Sequence, residues 1–245
     1  MPRFRFLDAL TTAFVVILLV SNLLAQKIIL IGPFGHIAGH AIGPFSTSGA
    51  MVLFPITYIF GDVFTEIYGY SASRRAIWLG FFGTALLYAV SAIVIALPSD
   101  PEFHAQAAFV TVFGILPRIL VASLIAFWAG EFANSYTMAR LKLLTKGRWL
   151  WTRTVGSTIV GQAVDTTLVI AITFAGIFSP HKLVQIIITG YFLKVAYEVI
   201  ATPITYLVIN WLKRIEHVDT FDTHTNFNPF RFAGTRGNSH AKVAK

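Results

Sequence analysis

Asp62 and Glu66 stand four positions apart near the end of a long apolar stretch. Residues at this spacing lie on one face of a helix. A carboxylate in hydrocarbon costs a few kcal/mol, so both side chains should face a protein interior, a water-filled cavity or a ligand. Carboxylates in such a place accept hydrogen bonds from a polar ligand or carry protons. The pair therefore predicts a functional site inside a membrane protein.

Polar side chains recur at helical spacing in three further apolar segments. They are Asn22 and Gln26 beside Lys27, Gln162 and Asp165, and Lys194 and Glu198. Four polar faces exceed what packing requires, so we predict a polar cavity that the four helices share. Its carboxylates would accept hydrogen bonds, its amides and Lys194 would donate them, and nearby tyrosines would stack on a planar ring. The tyrosine candidates are Tyr58, Tyr70, Tyr191 and Tyr197.

Each polar group also has a structural interpretation. Lys194 and Glu198 would neutralise one another, although Lys before Glu is the weaker order for such a pair. Glu66 would pair with Arg74 or Arg75 at the membrane surface. The amides and Asp165 would then serve as hydrogen-bonding glue between helices, at about 1 kcal/mol per bond.

The composition is that of an integral membrane protein. Of 245 residues, 56% are hydrophobic and 12% are charged, and the mean hydropathy is +0.69. Soluble domains carry about 25% charged residues. The absence of cysteine excludes disulfides, thiolate catalysis and zinc-thiolate or iron–sulfur sites. His36 and His40 lie in a glycine-rich loop that does not favour a metal site, so we expect neither a metal nor a cofactor.

Apolar runs of about 20 residues, the length that spans about 30 Å of hydrocarbon, predict an all-α, six-transmembrane-helix bundle. The predicted spans are Leu7–Ile31, Gly49–Tyr68, Ala76–Leu97, Phe109–Phe132, Val155–Phe178 and Leu183–Leu212. The first long loop, Gly32–Ser48, is rich in glycine and proline, so we expect it to be irregular. We assign residues 1–215 to one transmembrane domain and residues 216–245 to a polar C-terminal tail, partly docked near the membrane and then disordered.

Basic residues cluster before the first span and after the second, fourth and sixth, whereas the alternate loops carry only Lys182. The positive-inside rule therefore places both termini in the cytoplasm. Basic residues beside anionic lipid also explain the net charge of +8 without a nucleic-acid partner.

Several ordered motifs resemble one membrane-protein family, the queuosine-precursor transporters, also called vitamin uptake transporters. The motifs are Ser21–Lys27, Asp62–Tyr70 with Arg74–Trp78, Asn134–Tyr136, Gly147–Trp151 with Arg153, Gly161–Gln162 with Asp165, and Lys194 with Glu198 and Pro203. They extend from about residue 20 to residue 220. The resemblance implies import of 7-cyano-7-deazaguanine and 7-aminomethyl-7-deazaguanine, precursors of the modified tRNA nucleoside queuosine, across a bacterial inner membrane.

A 7-deazaguanine ligand would suit the polar residues. Its edge offers two parallel N–H donors that one carboxylate can accept, and its carbonyl needs a donor. Asp62, Glu66, Asp165 or Glu198 would supply the acceptor, and Asn22, Gln26, Gln162 or Lys194 the donor. Our hypothesis takes Asp165 and Glu66 as acceptors, Gln162 and Asn22 as orienting amides, and Lys194 with Glu198 as a gate. Lys27 and Tyr70 complete the predicted substrate site, and both proton coupling and facilitated diffusion remain open.

Two other functional classes to compare with the sequence are a substrate-binding subunit of a vitamin importer and an enzyme. A substrate-binding subunit of an energy-coupling-factor-type vitamin importer is also a small six-helix protein, and Ala9–Ala13 offers a small-residue face of the kind that such subunits dock with. The chain itself has no phosphate-binding loop. It also lacks the Gly-x-Ser-x-Gly and His-Glu-x-x-His motifs, so we do not expect an enzyme. A homodimer is the oligomer that we expect of so small a bundle.

Overall fold

The computed structural model describes residues 4–25, 27–32, 36–37, 40–41, 45–114, 117–223, 225–230 and 241–242. Helices dominate these residues, with short strands in the first long loop and in the tail. The helices are α1 Leu7–Leu24, α2 Phe54–Val63, α3 Tyr70–Ala96, α4 Gln106–Phe113, α5 Pro117–Leu144, α6 Leu150–Phe174 and α7 Pro180–Glu216, with a 3₁₀ turn at Gly49–Val52 and a π-helix at Phe64–Tyr68. The strands are β1 Ile28–Ile31, β2 His36–Ile37, β3 His40–Ala41, β4 Phe45–Ser48, β5 Asp219–Thr220 and β6 Ala241–Lys242.

Five stretches of the described chain are long and apolar enough to cross a membrane. They are Leu7–Leu24, Tyr70–Ala96, Gln106–Leu144, Leu150–Phe174 and Pro180–Glu216. Large apolar side chains on these helices, such as Leu86 and Ile200, point outward with exposures of 65% and 75%. An exposed apolar belt of this kind suits lipid rather than water. The protein is therefore an all-α, multi-pass membrane protein.

The predicted second span is the shortest helical segment of the bundle core. α2 has 10 residues and the π-helix that continues it has 5, so together they cover about 20 Å, less than the hydrocarbon core. The segment contacts α1, α5 and α7 and is thus enclosed by longer helices. A count of six spans stays a prediction.

Several predicted boundaries were wrong by more than the usual fraying of helix ends. The first span ends at Leu24 rather than Ile31, because β1 begins at Ile28 and pairs with β4 in an antiparallel ladder. The loop predicted to be irregular thus carries paired strands, and β2 pairs with β3 within it. The third span begins at Tyr70, immediately after Gly69, whose φ of 84° few other residues adopt and which ends the π-helix.

Helices α5 and α6 form the closest pair in the bundle, and glycine makes that approach possible. A Cβ atom on Gly161 would lie 2.7 Å from the Cβ of Asn134, and one on Gly130 would lie 2.7 Å from the Cβ of Asp165. Small residues at a crossing let membrane helices pack backbone to backbone. The same crossing fixes the positions of the polar side chains that follow.

Both described ends of the transmembrane region meet at the same end of the bundle. The carboxylate of Glu216, at the end of α7, accepts hydrogen bonds from the backbone N–H groups of Arg5 and Phe6 at 3.0 and 2.8 Å. It also accepts one from the hydroxyl of Tyr68 at 2.7 Å. The chain segments that precede α1 and follow α7 therefore lie on one side of the protein.

Candidate functional site

A polar cavity of about 70 Å³ lies inside the helix bundle, where α1, α2, α5 and α6 face one another. Its lining residues are Phe14, Leu18, Thr57, Tyr58, Asp62, Phe127, Gly130, Glu131, Asn134, Thr158, Gly161, Gln162 and Asp165. Helical spacing brings the polar ones together, because Glu131 and Asn134 are three apart on α5 and Gln162 and Asp165 three apart on α6. A cavity is thus present, but the prediction of its walls was partly wrong: among the described residues α5 lines it and α7 does not, and α1 contributes Phe14 and Leu18 rather than Asn22.

The cavity is rich in hydrogen-bond acceptors that protein groups leave free. Within the described residues, Asp62 Oδ2, Asn134 Oδ1 and Gln162 Oε1 are buried and have no hydrogen-bond partner. Buried polar atoms are normally paired, and each unpaired one calls for an explanation. Acceptors gathered around a cavity suit a ligand that brings N–H donors.

Lys194 and Asp165 form an ion pair across α7 and α6, with Nζ and Oδ2 2.6 Å apart. The predicted pairing of Lys194 with Glu198 was therefore wrong, and with it the basis for their proposed joint gate. Glu198 is 1% exposed whereas the Lys194 side chain is 28% exposed, so the two residues of α7 occupy different surroundings. The Lys-before-Glu order, which is the weaker one, leaves Lys194 free to reach the neighbouring helix.

Glu198 lies behind the cavity rather than on its lining. Both carboxylate oxygens are buried and lack a hydrogen-bond partner among the described residues. Its charge acts on Asp62 of α2, on Glu131 of α5 and on Tyr58, which places it beside the acidic lining. The acidic groups of α2, α5, α6 and α7 therefore converge on one region.

Glu66 faces away from the cavity into a cluster of cations. Its Oε1 and Oε2 accept hydrogen bonds from Arg153 at 2.7 and 3.1 Å, and Oε1 also accepts one from Lys213 at 2.7 Å. The amine of Lys142 lies 3.5 Å from Oε1 and donates to the backbone carbonyl of Glu66. Glu66 itself is fully buried.

Two predictions about Glu66 need correction. It pairs with Arg153, Lys142 and Lys213 rather than with Arg74 or Arg75, and it does not line the cavity that Asp62 lines. The physical reason is the π-helix that begins at Phe64. Its turn is wider than that of an α-helix, so Asp62 and Glu66, four residues apart, no longer lie on the same face. The surroundings of Glu66 fit an electrostatic anchor, not the acceptor of a ligand edge.

A C-terminal strap, defined as residues 218–223 and 225–230, covers the cation cluster and one side of the bundle. Asp219 Oδ1 lies 2.5 Å from Lys142 Nζ and 2.8 Å from Lys213 Nζ. Further along the strap, the backbone carbonyls of Asn226 and Asn228 accept hydrogen bonds from Arg74 at 3.0 and 2.9 Å. The strap thus binds to α3, α5 and α7 through these contacts.

Two acidic residues of the strap have shifted pKa values. Burial alone would raise the pKa of Asp219, but Lys142 and Lys213 outweigh it and lower that pKa below its usual 3.8. Burial raises the pKa of Asp222, and hydrogen bonds from Thr225 and from the Tyr70 amide oppose only part of this effect. Asp219 is therefore a charged contact, whereas the Asp222 site disfavours the ionised carboxylate.

Of the other predicted site residues, Tyr70, Asn22 and Lys27 do not line the cavity. The hydroxyl of Tyr70 donates to the carbonyl of Phe227, so this side chain supports the strap. The amide of Asn22 donates to the carbonyl of Leu18 one turn earlier on α1, and Lys27 is exposed beyond the helix end. Gln26 lies outside the described residues. Asn22 thus touches the lining residue Leu18 from outside the cavity, whereas Tyr70 and Lys27 have no part in the described lining.

Glu131 is the most informative residue that sequence reasoning missed. It lies at the predicted end of the fourth span, Phe109–Phe132, and was not among the predicted site residues. α5 instead runs on to Leu144, which places Glu131 in the middle of that helix. Its spacing of three from Asn134, a residue of the quoted motifs, was the available signal.

The chain resembles known membrane proteins in sequence. The sequence profile of a family described as "Putative vitamin uptake transporter" matches residues 48–208, more than half of the chain. The chain belongs to the vitamin uptake transporter family. A protein of Bacillus subtilis (strain 168) named "Probable queuosine precursor transporter" is 32% identical over 157 residues, which are 63% of this chain and 68% of the relative. No solved structure matches.

Membership of the vitamin uptake transporter family confirms the resemblance that the sequence motifs indicated. The matched region contains the π-helix and the cavity-lining residues of α2, α5 and α6. The Ser21–Lys27 motif lies before it. All the lining residues except Phe14 and Leu18 thus belong to the part of the chain that the family shares.

Proposed function

We propose that this protein imports 7-deazaguanine precursors of queuosine, 7-cyano-7-deazaguanine and 7-aminomethyl-7-deazaguanine, across a bacterial inner membrane. The name of the Bacillus subtilis relative supports the substrate class. The observation that carries the proposal is the set of unpaired acceptors on Asp62, Asn134 and Gln162 around one intramembrane cavity. A ligand with several N–H groups in one plane would satisfy such a set.

The lining suggests which side chains would hold each part of the base. The Asp62 or Glu131 carboxylate would accept the ring N–H and the exocyclic amine together, since these two donors are parallel. The amide N–H groups of Asn134 or Gln162 would donate to the ring carbonyl. Tyr58 and Phe127 line the same cavity and would cover the ring faces.

The cavity is too narrow for a planar base, so the proposed mechanism includes an opening movement. A volume of about 70 Å³ holds a few water molecules, whereas ligand pockets typically measure about 300–1,000 Å³. A planar base would therefore enter only when helices or side chains move apart. Alternating separation at the two ends of the bundle would turn such a binding site into a transport path.

The proposal includes topology and assembly. Six crossings, with α2 and the π-helix as the second, would place both termini in the cytoplasm. Two observations support this arrangement, the basic residues on alternate loops and the contact of Glu216 with Arg5 and Phe6 at one end of the bundle. We propose that lipid surrounds the exposed apolar belt. We also propose that the protein forms a homodimer and has no nucleic-acid partner.

Uptake by the purified protein tests the function. Proteoliposomes that contain only this chain should take up labelled 7-cyano-7-deazaguanine saturably, and excess unlabelled 7-aminomethyl-7-deazaguanine should compete. Glu131→Gln should weaken the competition by 7-aminomethyl-7-deazaguanine. Glu102→Gln, a matched change at an exposed residue that does not line the cavity, should leave that competition unchanged. Binding without uptake would favour the subunit of an ATP-driven importer, and neither binding nor uptake would refute the proposal.

A further inference from the structure

Asp62 and Glu198 form a pair of buried carboxylates on two facing helices, α2 and α7. They are 2% and 1% exposed. Their charges act on each other, and within the described residues Asp62 Oδ2 and both oxygens of Glu198 have no hydrogen-bond partner. Thr154 of α6, whose side chain is fully buried, adds a third polar group beside Asp62.

The charged groups around the pair do not neutralise it. Lys194, one turn before Glu198, binds Asp165. Arg153, next to Thr154, binds Glu66, which also engages Lys142 and Lys213. The other groups that face the pair within the described part of the chain are acidic or neutral, namely Glu131 of α5, Tyr58 of α2 and Tyr197 of α7.

Two buried carboxylates that no cation of the described residues neutralises require positive charge from elsewhere. Each bare carboxylate costs several kcal/mol in a low-dielectric interior, and their mutual repulsion adds to that cost. Carboxylate and hydroxyl oxygens are hard ligands that suit a proton or a small hard cation. We propose that Asp62, Glu198 and Thr154 form a binding site for a monovalent cation, a proton or Na⁺, whose movement drives substrate uptake.

Asp62 is the residue that would link the cation to the substrate. It lines the cavity, whereas Glu198 lies behind it, so one carboxylate borders both sites. A cation bound on the Glu198 side would alter the charge that Asp62 presents to the substrate. Because such coupling is reciprocal, the substrate would alter cation affinity by the same factor.

The transport step balances without any further reactant. A proton entering from the outer side would form an O–H bond with one carboxylate and return to water on the inner side, while Na⁺ would exchange its water ligands for the carboxylate and hydroxyl oxygens. No bond of the substrate changes. One cation per substrate under a tenfold inward gradient would sustain about tenfold accumulation, equivalent to about 1.4 kcal/mol.

This inference rests on the proposed function, and two transport assays separate their failures. Exchange of labelled for unlabelled precursor at equal concentration on both sides needs a transporter but no driving gradient. Net accumulation above the external concentration needs coupling. Absence of exchange in the natural protein would refute the proposed function itself, whereas exchange without gradient-driven accumulation would overturn only the cation site.

Two separate experiments distinguish a proton from Na⁺ as the coupled cation. Proteoliposomes loaded with a pH-sensitive dye should acidify as precursor enters under an inward proton gradient with equal Na⁺ on both sides. An inward Na⁺ gradient at equal pH should instead drive accumulation if Na⁺ is the partner, and choline should not replace it. A response to either gradient supports the site, and a response to neither overturns it.

Glu198→Gln tests the assignment to this pair. The amide keeps the size of the side chain and removes its charge, so the variant should retain exchange while gradient-driven accumulation falls about tenfold to the equilibrium level. Retained exchange also proves that the variant folds. Glu102→Gln should accumulate like the natural protein. Undiminished accumulation by Glu198→Gln would overturn the site.

Discussion

Replacing Glu66 with glutamine should destabilise the protein strongly while leaving the cavity lining intact. The carboxylate is fully buried and faces the cations of Arg153, Lys213 and Lys142. The neutral amide would leave these cations with only Asp219 as a nearby anion in the described cluster. Repulsion among buried cations is the expected consequence.

The magnitude follows from the burial of the ion pair. Removing one partner of a buried pair typically costs about 3–5 kcal/mol, because the other charge stays buried without compensation. For a protein of this size, 1 kcal/mol shifts the melting temperature by about 2–4 °C, so we expect a loss of about 6–20 °C. The partly exposed amine of Lys213 can turn toward water, which favours the lower half of this interval.

Thermal unfolding in detergent, followed by tryptophan fluorescence, measures this loss. Glu102→Gln is the matched control, because the same change at an exposed residue should leave the melting temperature within about 1–2 °C. A second substitution, Lys213→Gln, should restore part of the stability of the Glu66 variant, since it removes one of the repelling cations.

The outcome also decides between two interpretations of Glu66. A residue that accepts hydrogen bonds from the substrate would, when replaced, lower substrate affinity without changing the melting temperature. Asp62→Asn should lower substrate affinity without lowering the melting temperature, because Asp62 lines the cavity and its amide would not be repelled by Glu198. A melting temperature of Glu66→Gln equal to that of Glu102→Gln would refute the electrostatic anchor.

Three further predictions concern the helix crossing, the cavity and the strap. Gly161→Val should lower the free energy of unfolding by about 1–3 kcal/mol, because it forces α5 and α6 apart. Gly83→Ala should be tolerated, because its Cβ would meet its nearest neighbour at 3.4 Å. Thermal unfolding of the two variants measures the difference. Glu131→Gln should weaken precursor binding in equilibrium dialysis with little change in melting temperature. The lowered pKa of Asp219 means that its stabilising contribution is complete above its ordinary value of 3.8 and is lost as the pH falls through the folded value. Proteolysis of the strap should therefore accelerate at that acidic end, and Asp219→Asn should show the faster cleavage at neutral pH.

Sequence reasoning reached the helical membrane fold, the family and the existence of a polar cavity. Apolar runs and charge placement carry most of that information, because the bilayer demands continuous apolar helices. Asp62, Gln162 and Asp165 were predicted as site residues and line the cavity. Whether these residues bind the substrate stays a prediction.

The misplaced residues share a physical cause, which is that partners across the bundle decide where a charge points. Sequence spacing put Glu66 on the face of Asp62, but the π-helix and Arg153 turned it toward the cation cluster. Lys194 had a partner four residues away in sequence and yet pairs with Asp165 on another helix. Long-range contacts of this kind leave no periodic trace in a single sequence.

The strap follows α7 in the sequence, so it is synthesised after the helices that it contacts. Lys142 and Lys213 are made before Asp219, so during translation these cations are inserted without the anion that later binds both. The strap can dock only after α7 has left the ribosome and joined the bundle. A chain that stops at residue 216 would lack Asp219 and leave Glu66 as the one described anion beside Lys142 and Lys213, and the excess positive charge would mark it for membrane quality-control proteases.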